Sequence, residues 1–371
     1  MYEIRNRKRY AMKVLMIGPL SPPYGGVANF IENIATQVTS KDIKVQLYRV
    51  GRRKYETNML KQFFIDIIDI LNFVIKGEFR NSDIIHIHTS SNYSFYRKSV
   101  YYFIVKFLSN NKILVHIHGA KFDNFYERSS FITKKLIRYV LSNCNAVIVT
   151  SPRWVPIFKN IVKNGTQILV SYNGFNEDLF RPTHIKDIRS HMGIPGDKKI
   201  LLNIAALEDY KGHKYLIDAM EIIKEKRNDI LVYIIGEGSL KGELKRVIKD
   251  KGLDNNIFLL GGGKSSAEMS GLINACDIFV LPSLAEGNPT VMFEAMGCGK
   301  PFVGTRVGGI PDVIFSHDYG ILVEPSNPTD MAKKILIALD KEWNYVAIVE
   351  YAQRFAWKNV SKSVLQIYNM I

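Results

Sequence analysis

Short runs of β-branched and aliphatic residues alternate with helix-length segments along the chain, and this alternation constrains the fold more than any other feature. In the first half, such runs occupy residues 13–17, 45–50, 83–88, 113–118 and 146–150. After a polar stretch at 173–199 the pattern restarts, with runs at 200–205, 230–235, 257–260, 278–281, 301–304 and 321–323. Apolar runs spaced in this way are typical of buried parallel strands joined by crossover helices.

The alternation predicts an α/β protein with two doubly wound, Rossmann-like domains. A chain of 371 residues is long enough for two such cores. We place the N-terminal domain at 1–180 and the C-terminal domain at 181–351. We also predict one long helix over 345–371, whose last part, about 352–371, packs back on the first domain. Ligands bind at the carboxyl ends of such strands, so we expect the site in a cleft that the two domains face.

Positive charge is concentrated in the first half. The chain carries a net charge of +15, and residues 1–180 hold 26 Lys and Arg against 12 Asp and Glu, a net of +14. This excess predicts an anionic partner, such as a membrane surface or a lipid phosphate; a solubilising surface charge is the alternative. No nucleic-acid-binding motif accompanies the charge, so we exclude nucleic acid as a partner.

Residues 60–75 form the most apolar window of the chain, but Asp66, Asp69 and Asn72 interrupt it, so we predict no membrane-spanning helix. As a helix, this window places seven apolar residues on one face: Leu60, Phe63, Phe64, Ile67, Ile68, Leu71 and Ile75. Such a face suits an anionic membrane surface, while a core-facing helix with a solvated rim is the alternative. The N-terminus has no signal-peptide pattern, so we expect a cytoplasmic protein, peripheral on the inner face of the cell membrane.

Two polar features mark the first domain. Gly25 and Gly26 follow the first strand and open a helix, which is typical of a diphosphate cradle or of an ordinary βα turn. Two His-x-His pairs, His86 with His88 and His116 with His118, end two other strands. We predict no metal there, because no carboxylate or Cys joins them at ligand spacing. We expect His118 to be a hydrogen-bond donor in the cleft, and His86 and His116 to be core histidines with satisfied partners.

The second domain carries a lysine and two glutamates at strand ends. Lys211 follows its first strand, from where the side chain can reach a phosphate. Glu286 lies on the loop after strand 278–281, and Glu294 lies one turn into the helix that Pro289 starts. The first N–H groups of that helix are free donors for a phosphate. Glu342 and Glu350 repeat the same spacing without this context, and we assign them no function.

Two glycine-rich loops resemble other nucleotide sites. Residues 261–265 match the end of a P-loop, but Phe258 stands where the first glycine belongs. The loop that begins at Gly236 resembles a dinucleotide fingerprint, which leaves an NAD(P)-dependent oxidoreductase as an alternative. That alternative lacks the acidic residue that would hold a ribose.

In order along nearly the whole chain, these motifs resemble glycosyltransferase family 4, a family of retaining enzymes with the GT-B fold. The resemblance is carried by PPYGGVANF, DIIHIH, HIHG, NGFNEDLFRP, EDYKGHKYLIDA and LPSLAEGNPTVMFEAMGCGKPFVGTRVGGIPDVI. It implies transfer of a hexose or N-acetylhexosamine from a nucleoside diphosphate sugar, with a UDP-sugar favoured and GDP-mannose as the second option. The implied acceptor is a membrane-associated or lipid-linked saccharide in surface polysaccharide biosynthesis, and no cofactor or metal is needed.

The same resemblance assigns roles to individual residues. It implies that Glu286, His118 and Lys211 are catalytic. The implied donor-binding residues are Gly25, Gly26, Lys211, Gly236, Glu286, Gly287, Asn288, Pro289, Thr290, Val291 and Glu294. One position departs from the family, since Ala206 stands where an Arg usually contacts phosphate. Arg306 and Lys264 are candidates to replace it, and a non-catalytic nucleotide-sugar-binding relative remains an alternative.

Overall fold

The computed structural model describes residues 11–22, 25–40, 42–51, 53, 58–163, 165–183, 188–190 and 193–371. The described residues separate into two compact units. The first contains the chain up to Asn173 together with Trp357–Ile371, and the second is Gly174–Ala356. These bounds lie a few residues from the domain limits at 180 and 351 that the sequence analysis set.

The described residues form six strands in each unit. Those of the first unit are β1 (Met12–Gly18), β2 (Ile43–Arg49), β3 (Ile84–Thr89), β4 (Lys112–Ile117), β5 (Ala146–Val149) and β6 (Gln167–Val170). Those of the second unit are β7 (Lys199–Ile204), β8 (Ile230–Ile235), β9 (Ile257–Leu259), β10 (Ile278–Leu281), β11 (Phe302–Thr305) and β12 (Gly320–Val323). The α-helices are α1 (Gly26–Val38), α2 (Met59–Lys76), α3 (Tyr93–Leu108), α4 (Phe122–Arg128), α5 (Phe131–Ser142), α6 (Trp154–Ile161), α7 (His213–Lys224), α8 (Lys241–Asp250), α9 (Ser266–Ala275), α10 (Thr290–Gly297), α11 (Ile310–Val313), α12 (Pro328–Asp340), α13 (Tyr345–Ala352) and α14 (Trp357–Met370).

The first unit is built on a parallel sheet with the strand order β2-β1-β3-β4-β5-β6. Every residue of β3 and β5 is buried, because helices cover both faces of the sheet. On one face, Phe30 of α1 and Trp357 of α14 join a common core. On the other, Phe73 of α2 and Ile137 of α5 join a second core. The strand order reverses between β1 and β3, so the loops after these two strands open at the topological switch point.

The sheet of the second unit is also parallel, in the order β12-β11-β10-β7-β8-β9. Read from β9, with β7 as the first strand, this is the 3-2-1-4-5-6 order of a Rossmann sheet. Its switch point lies between β7 and β10, which pair through Leu201 and Ile278. The predicted α/β class with two doubly wound, Rossmann-like domains is therefore confirmed.

Two local predictions are wrong. Strand β6 is absent from the sequence prediction; it has four residues, all at least partly exposed, and in the described part of the sheet it pairs with β5 alone. The single helix predicted over 345–371 is divided into α13, a 3-10 turn at Gln353–Phe355 and α14. It breaks because Ala356 takes an extended conformation (φ −61°, ψ 142°) and forms a β-bridge with Phe175.

Candidate active site

The switch point of the second sheet brings together two residues that are far apart in sequence. The loop after β7 carries Lys211, and the loop after β10 carries Glu286. The two loops are joined where the Leu284 backbone N–H donates to the Tyr210 carbonyl at 2.8 Å. Lys211 Nζ then donates to Glu286 Oε1 at 2.7 Å, with both side chains mostly buried. The structure thus places a lysine and a glutamate, both predicted as catalytic, in direct contact at the carboxyl ends of the strands.

Further groups fix the carboxylate of Glu286, which is only 6% exposed. Ser283 Oγ donates to Glu286 Oε1 at 2.6 Å, and the Thr305 hydroxyl donates to the Ser283 carbonyl. A buried charge is tolerated only when it is paired and hydrogen-bonded, as it is here. The sequence analysis missed both hydroxyl residues. Ser283 stands three residues before Glu286 in the recognised segment, whereas the part played by Thr305 depends on the pairing of β10 with β11.

A glycine lets the loop after β11 pack against Glu286. Gly308 has φ +53°, and a Cβ atom there would overlap the carbonyl oxygen of Glu286. The next residue, Gly309, donates its backbone N–H to the Gly287 carbonyl at 2.8 Å. Only glycine satisfies both the left-handed backbone and this close approach. The loops after β10 and β11 therefore support each other at the site.

Helix α10 begins directly after the Glu286 loop, with Pro289 as its extended N-cap residue. By helix geometry, the backbone N–H groups of Thr290 and Val291 have no acceptor within the helix. They carry the positive end of the helix dipole, which favours an anion. Asn288, the last residue before the cap, is buried at this end. This end of α10 has the donors and the polarity that a phosphate group requires.

Glu294 lies one turn into α10 and is buried, as are all its helical neighbours from Met292 to Gly297. Burial raises the pKa of Glu294 to about 7, because a carboxylate is poorly solvated inside the protein. A hydroxyl group that donates to this side chain would favour its charged form. The carboxyl group therefore changes protonation near neutral pH and responds to a hydrogen-bond donor.

The loop after β8 packs tightly against the loop after β7. A Cβ atom at Gly236 would overlap the Ala205 carbonyl oxygen, and one at Gly238 would overlap the carbonyl oxygen of Leu207. Packing alone therefore requires these two glycines. Moreover, they follow the second strand of the 3-2-1-4-5-6 order, whereas a dinucleotide fingerprint follows the first. Both observations weigh against the oxidoreductase alternative, and Gly236 as a donor-binding residue stays a prediction.

Ala206, the position that departs from the family, is exposed on the loop after β7. In the described contacts, neither Arg306 nor Lys264, the two candidates to replace the missing Arg, reaches the Lys211–Glu286 pair. Arg306 pairs its Nε with Glu324 Oε1 at 3.1 Å on the surface, and Lys264 lines a small pocket with Tyr233 and Leu260. In the described part of the second unit, Lys211 is the cation paired with Glu286.

In the first unit, the glycine loop leaves the start of α1 open. Gly25 is exposed and extended, and no acidic residue lies in the first turn of α1. Among the described residues, a Cβ atom at Gly25 or Gly26 would meet nothing within 4 Å. The start of the loop is held to α1, since the backbone N–H of Ser21 donates to Glu32 at 2.6 Å. Pro23 and Tyr24, which belong to the same motif, lie outside the described residues.

Strands β3 and β4 place the four histidine rings side by side on the face that α1 covers. His88 Nδ1 and His118 Nε2 share a hydrogen bond at 3.0 Å, and His86 Nδ1 bonds the Tyr368 hydroxyl of α14 at 2.8 Å. The prediction of satisfied partners is wrong for His116, whose two ring nitrogens are buried without a hydrogen-bond partner among the described residues. Its ring instead packs edge-on against Phe30.

Burial keeps these rings neutral. It lowers the pKa of His118 to about 3 and that of His86 to about 3, and it lowers the pKa of His88 and His116 as well. Nitrogen atoms of His86, His88 and His116 lie within 4.8 Å of one another, although the rings of His86 and His116 are parallel. The absence of a metal stays a prediction. A neutral His118 still has Nδ1, which the bond to His88 does not use, for a polar partner.

The sequence analysis also missed Lys98, a buried amine near these rings. It is 3% exposed, and its Nζ donates to Ser94 Oγ at 3.1 Å at the start of α3. Burial, together with the nearby Arg97, lowers the pKa of Lys98 to about 7. The sequence carries no signal of this kind, because the burial of Lys98 depends on how α3 packs in the fold.

Comparison with known proteins shows what this chain resembles. Residues 184–355, nearly all of the second unit, match the family model described as Glycosyl transferases group 1. An uncharacterized glycosyltransferase of Methanocaldococcus jannaschii is 28% identical to this chain over 375 residues, covering 96% of this chain and 98% of the relative.

Solved structures agree on the fold. Sucrose-phosphate synthase from Thermosynechococcus elongatus superposes with a TM-score of 0.79 at 18% identity, covering 97% of this chain and 98% of that one. HepE of Anabaena, solved in complex with UDP, superposes with a TM-score of 0.76 at 20% identity, covering 97% of this chain and 100% of HepE. At these identities the likeness establishes the fold and leaves ligands to separate argument.

Proposed function

We propose that this chain, whose residues 184–355 match the model of group 1 glycosyl transferases, is a retaining, metal-independent hexosyltransferase that uses a nucleoside diphosphate sugar. The proposal is carried by the Lys211–Glu286 ion pair beside the N-terminus of α10, at the switch point of a Rossmann sheet. A nucleoside diphosphate sugar offers two phosphates, a ribose and a sugar. The pair, the helix terminus and Glu294 provide a cation, N–H donors and a buried carboxyl group for them.

We assign the donor contacts as follows. Lys211 and the N–H groups of Thr290 and Val291 bind the diphosphate, and Glu294 accepts hydrogen bonds from the ribose hydroxyls. Residues 286–289 bind the transferred sugar. Gly25, Gly26 and Gly236 keep the donor-binding role that the resemblance implies. UDP is the favoured nucleotide, since HepE was solved with UDP, while GDP-mannose is the second option.

In the proposed reaction, a hydroxyl oxygen of the acceptor bonds to the anomeric carbon of the sugar on the face from which the diphosphate leaves. The bond between that carbon and the phosphate oxygen breaks, and the leaving phosphate takes the proton of the acceptor. Glu286 stabilises the positive charge that develops at the anomeric carbon. Lys211 and the dipole of α10 stabilise the leaving diphosphate, which is the task a divalent cation performs in other transferases. His118, which is half-buried and has a pKa that desolvation lowers to about 3, is the proposed neutral hydrogen-bond donor to the sugar.

We propose a membrane-associated or lipid-linked saccharide as the acceptor, in the synthesis of a surface polysaccharide. This part is supported by the net charge of +14 in residues 1–180 and by the exposed apolar face of α2. It places the protein on the inner face of the cell membrane as a peripheral protein.

The first test is a thermal-shift panel with UDP, GDP, ADP and NAD, without added metal. Stabilisation by one nucleoside diphosphate would support the donor site and identify the base. The second is Glu286→Gln, which should abolish sugar transfer and leave nucleotide affinity nearly unchanged. Glu350→Gln is the matched control, because Glu350 is exposed and repeats the spacing to another glutamate. Equal turnover in Glu286→Gln and the wild type would disprove the catalytic assignment.

A non-catalytic nucleotide-sugar-binding protein is the second candidate, and Ala206 favours it. A charge-assisted phosphate contact contributes about 1.5–3 kcal/mol, so its loss lowers donor affinity. In that case the wild type would bind UDP without turnover, and Glu286→Gln would change nothing in a transfer assay.

A further inference from the structure

Helix α2 turns several polar side chains toward the protein and a row of large apolar side chains toward solvent. Apart from Phe73, which joins the core, its inward face carries Gln62, Asp66 and Asp69, which are between 4% and 6% exposed. Its outward face carries seven large apolar side chains that are between 38% and 77% exposed, namely Leu60, Phe63, Phe64, Ile67, Ile68, Leu71 and Ile75. The core-facing alternative from the sequence is therefore wrong, since most of the apolar face points away from the core.

Polar contacts hold the helix in this orientation. Tyr93 Oη donates to Asp66 Oδ2 at 2.7 Å, and Arg97 pairs with the same carboxylate at 3.3 Å. Arg53 pairs with Asp69. Rolling the helix to bury its apolar face would move both carboxylates away from their cations. The outward position of the apolar side chains is therefore fixed by the fold.

Both ends of α2 are also defined. The Asn58 side chain accepts a hydrogen bond from the Leu60 N–H, and Gly77 ends the helix in the left-handed conformation with its N–H bonded to the Phe73 carbonyl. The apolar face thus belongs to one rigid helix of 18 residues. A face of seven exposed, large apolar side chains on a folded unit marks an interaction site.

The charges around this face indicate the partner. Lys61 and Lys76 are exposed on α2 itself. Helix α5, on the same side of the sheet, repeats the composition: Phe131 is exposed, and Lys135 Nζ lies 4.5 Å from the centre of its ring. Basic side chains among exposed aromatic and aliphatic ones are typical of helices that lie in an anionic membrane interface. A second copy would bring two strongly positive units together, which opposes self-association through this face.

We infer that α2 is an in-plane membrane anchor, which inserts its apolar face into the headgroup region of an anionic bilayer. This inference deepens the proposed function and rests on it for the lipid-linked acceptor. The helix does not cross the membrane, because no helix in the described ranges is long and apolar enough to do so. Its bound Asp66 and Asp69 stay on the protein side.

Vesicle sedimentation tests the anchor directly. The probes are vesicles of phosphatidylcholine alone and of phosphatidylcholine mixed with phosphatidylglycerol. We expect the wild type to sediment with the anionic vesicles, and the double variant Phe64→Ser with Ile68→Ser to lower the bound fraction roughly tenfold or more. Phe315→Ser is the matched control, because Phe315 is also an exposed aromatic, 67% against 62% for Phe64, but lies in the second unit.

A fluorescent reporter gives a second measurement. The native cysteines are buried, so a polarity-sensitive dye reacts selectively with an introduced Ile68→Cys. We expect its emission to shift to the blue with anionic vesicles, and a dye at Val346→Cys in the second unit to stay unchanged. Equal sedimentation of the wild type and the double variant would overturn the inference. So would self-association of the wild type, seen by light scattering, that the double variant abolishes.

The UDP thermal shift separates this inference from the proposed function. The double variant should retain the shift of the wild type, since the changed residues lie in the other unit from Lys211 and Glu286. A wild type that UDP stabilises but that binds no vesicle refutes the anchor alone. A wild type that binds anionic vesicles but responds to no nucleoside diphosphate refutes the donor site alone.

Discussion

Replacing Glu294 by Gln removes a buried charge while keeping the shape of the side chain. Burial raises the pKa of Glu294 from 4.5 to about 7. At about 1.4 kcal/mol per pKa unit, ionising this group in the folded protein costs about 3 kcal/mol more than in the unfolded chain. Since the folded pKa is the higher one, this contribution to stability is fully present below pH 4.5 and is lost as the pH rises through about 7.

The variant should therefore be nearly as stable as the wild type near pH 4 and more stable near pH 8. The expected gain at the higher pH is about 3 kcal/mol, or on the order of 6–12 °C in the melting temperature of a unit of this size. Chemical denaturation or a thermal melt at a series of pH values measures the difference. Glu350→Gln, which changes an exposed glutamate, should follow the wild-type curve throughout.

Nucleotide binding provides a second test of the protonation of Glu294. If ribose hydroxyls donate to Glu294, they favour its charged form, so UDP affinity of the wild type should rise as the pH passes through about 7. The affinity of Glu294→Gln should be lower and should not rise in this range. A stability difference that is independent of pH would refute the protonation argument. Equal UDP affinity in both proteins would refute the ribose contact.

Three further predictions concern the same unit. Lys211→Ala should weaken nucleoside diphosphate binding roughly ten- to a hundredfold by calorimetry, because a charge-assisted contact is lost; unchanged affinity would contradict its role. Gly308→Ala should lower the free energy of unfolding by about 2 kcal/mol or more, because the new Cβ overlaps the Glu286 carbonyl oxygen. Gly263→Ala is its matched control, with φ +74° but nothing within 4 Å, and an equal loss in both variants would show that backbone strain alone decides. Treatment with EDTA should leave the rate of sugar transfer unchanged, and a loss that Mg²⁺ restores would refute the metal-independent mechanism.

The sequence predicted the two sheets and most strands, because buried parallel strands are short apolar runs that local pattern detects. The family was suggested by the resemblance of its motifs. The sequence analysis missed β6 because Gln167–Val170 is an edge strand whose residues are all at least partly exposed. It extended one helix through Ala356 because the bend there depends on a bridge to Phe175, which is distant in sequence.

The orientation of α2 shows another limit of prediction from sequence patterns. The spacing of its apolar residues correctly predicts an amphipathic helix, but the same spacing fits a helix that turns this face inward or outward. The orientation depends on Arg97 and Tyr93, which reach α2 from another helix. In the same way, Ser283 and Gly308 gained their roles from loops that meet only in the folded sheet. The donor-site assignments drawn from the resemblance stay predictions, which the variants above test.

The return of the chain to its first unit has a consequence for biosynthesis. The core against α1 needs Trp357 and Val364, and His86 needs Tyr368 for its hydrogen bond, all supplied by a helix that follows the second unit in the chain. During translation, residues 174–356 of the second unit emerge before that helix does. The second unit can therefore complete its fold on the ribosome while the first still exposes one face of its sheet. Nascent chains stalled so that residues up to 356 have emerged, but α14 has not, should carry a folded second unit and a protease-sensitive first unit.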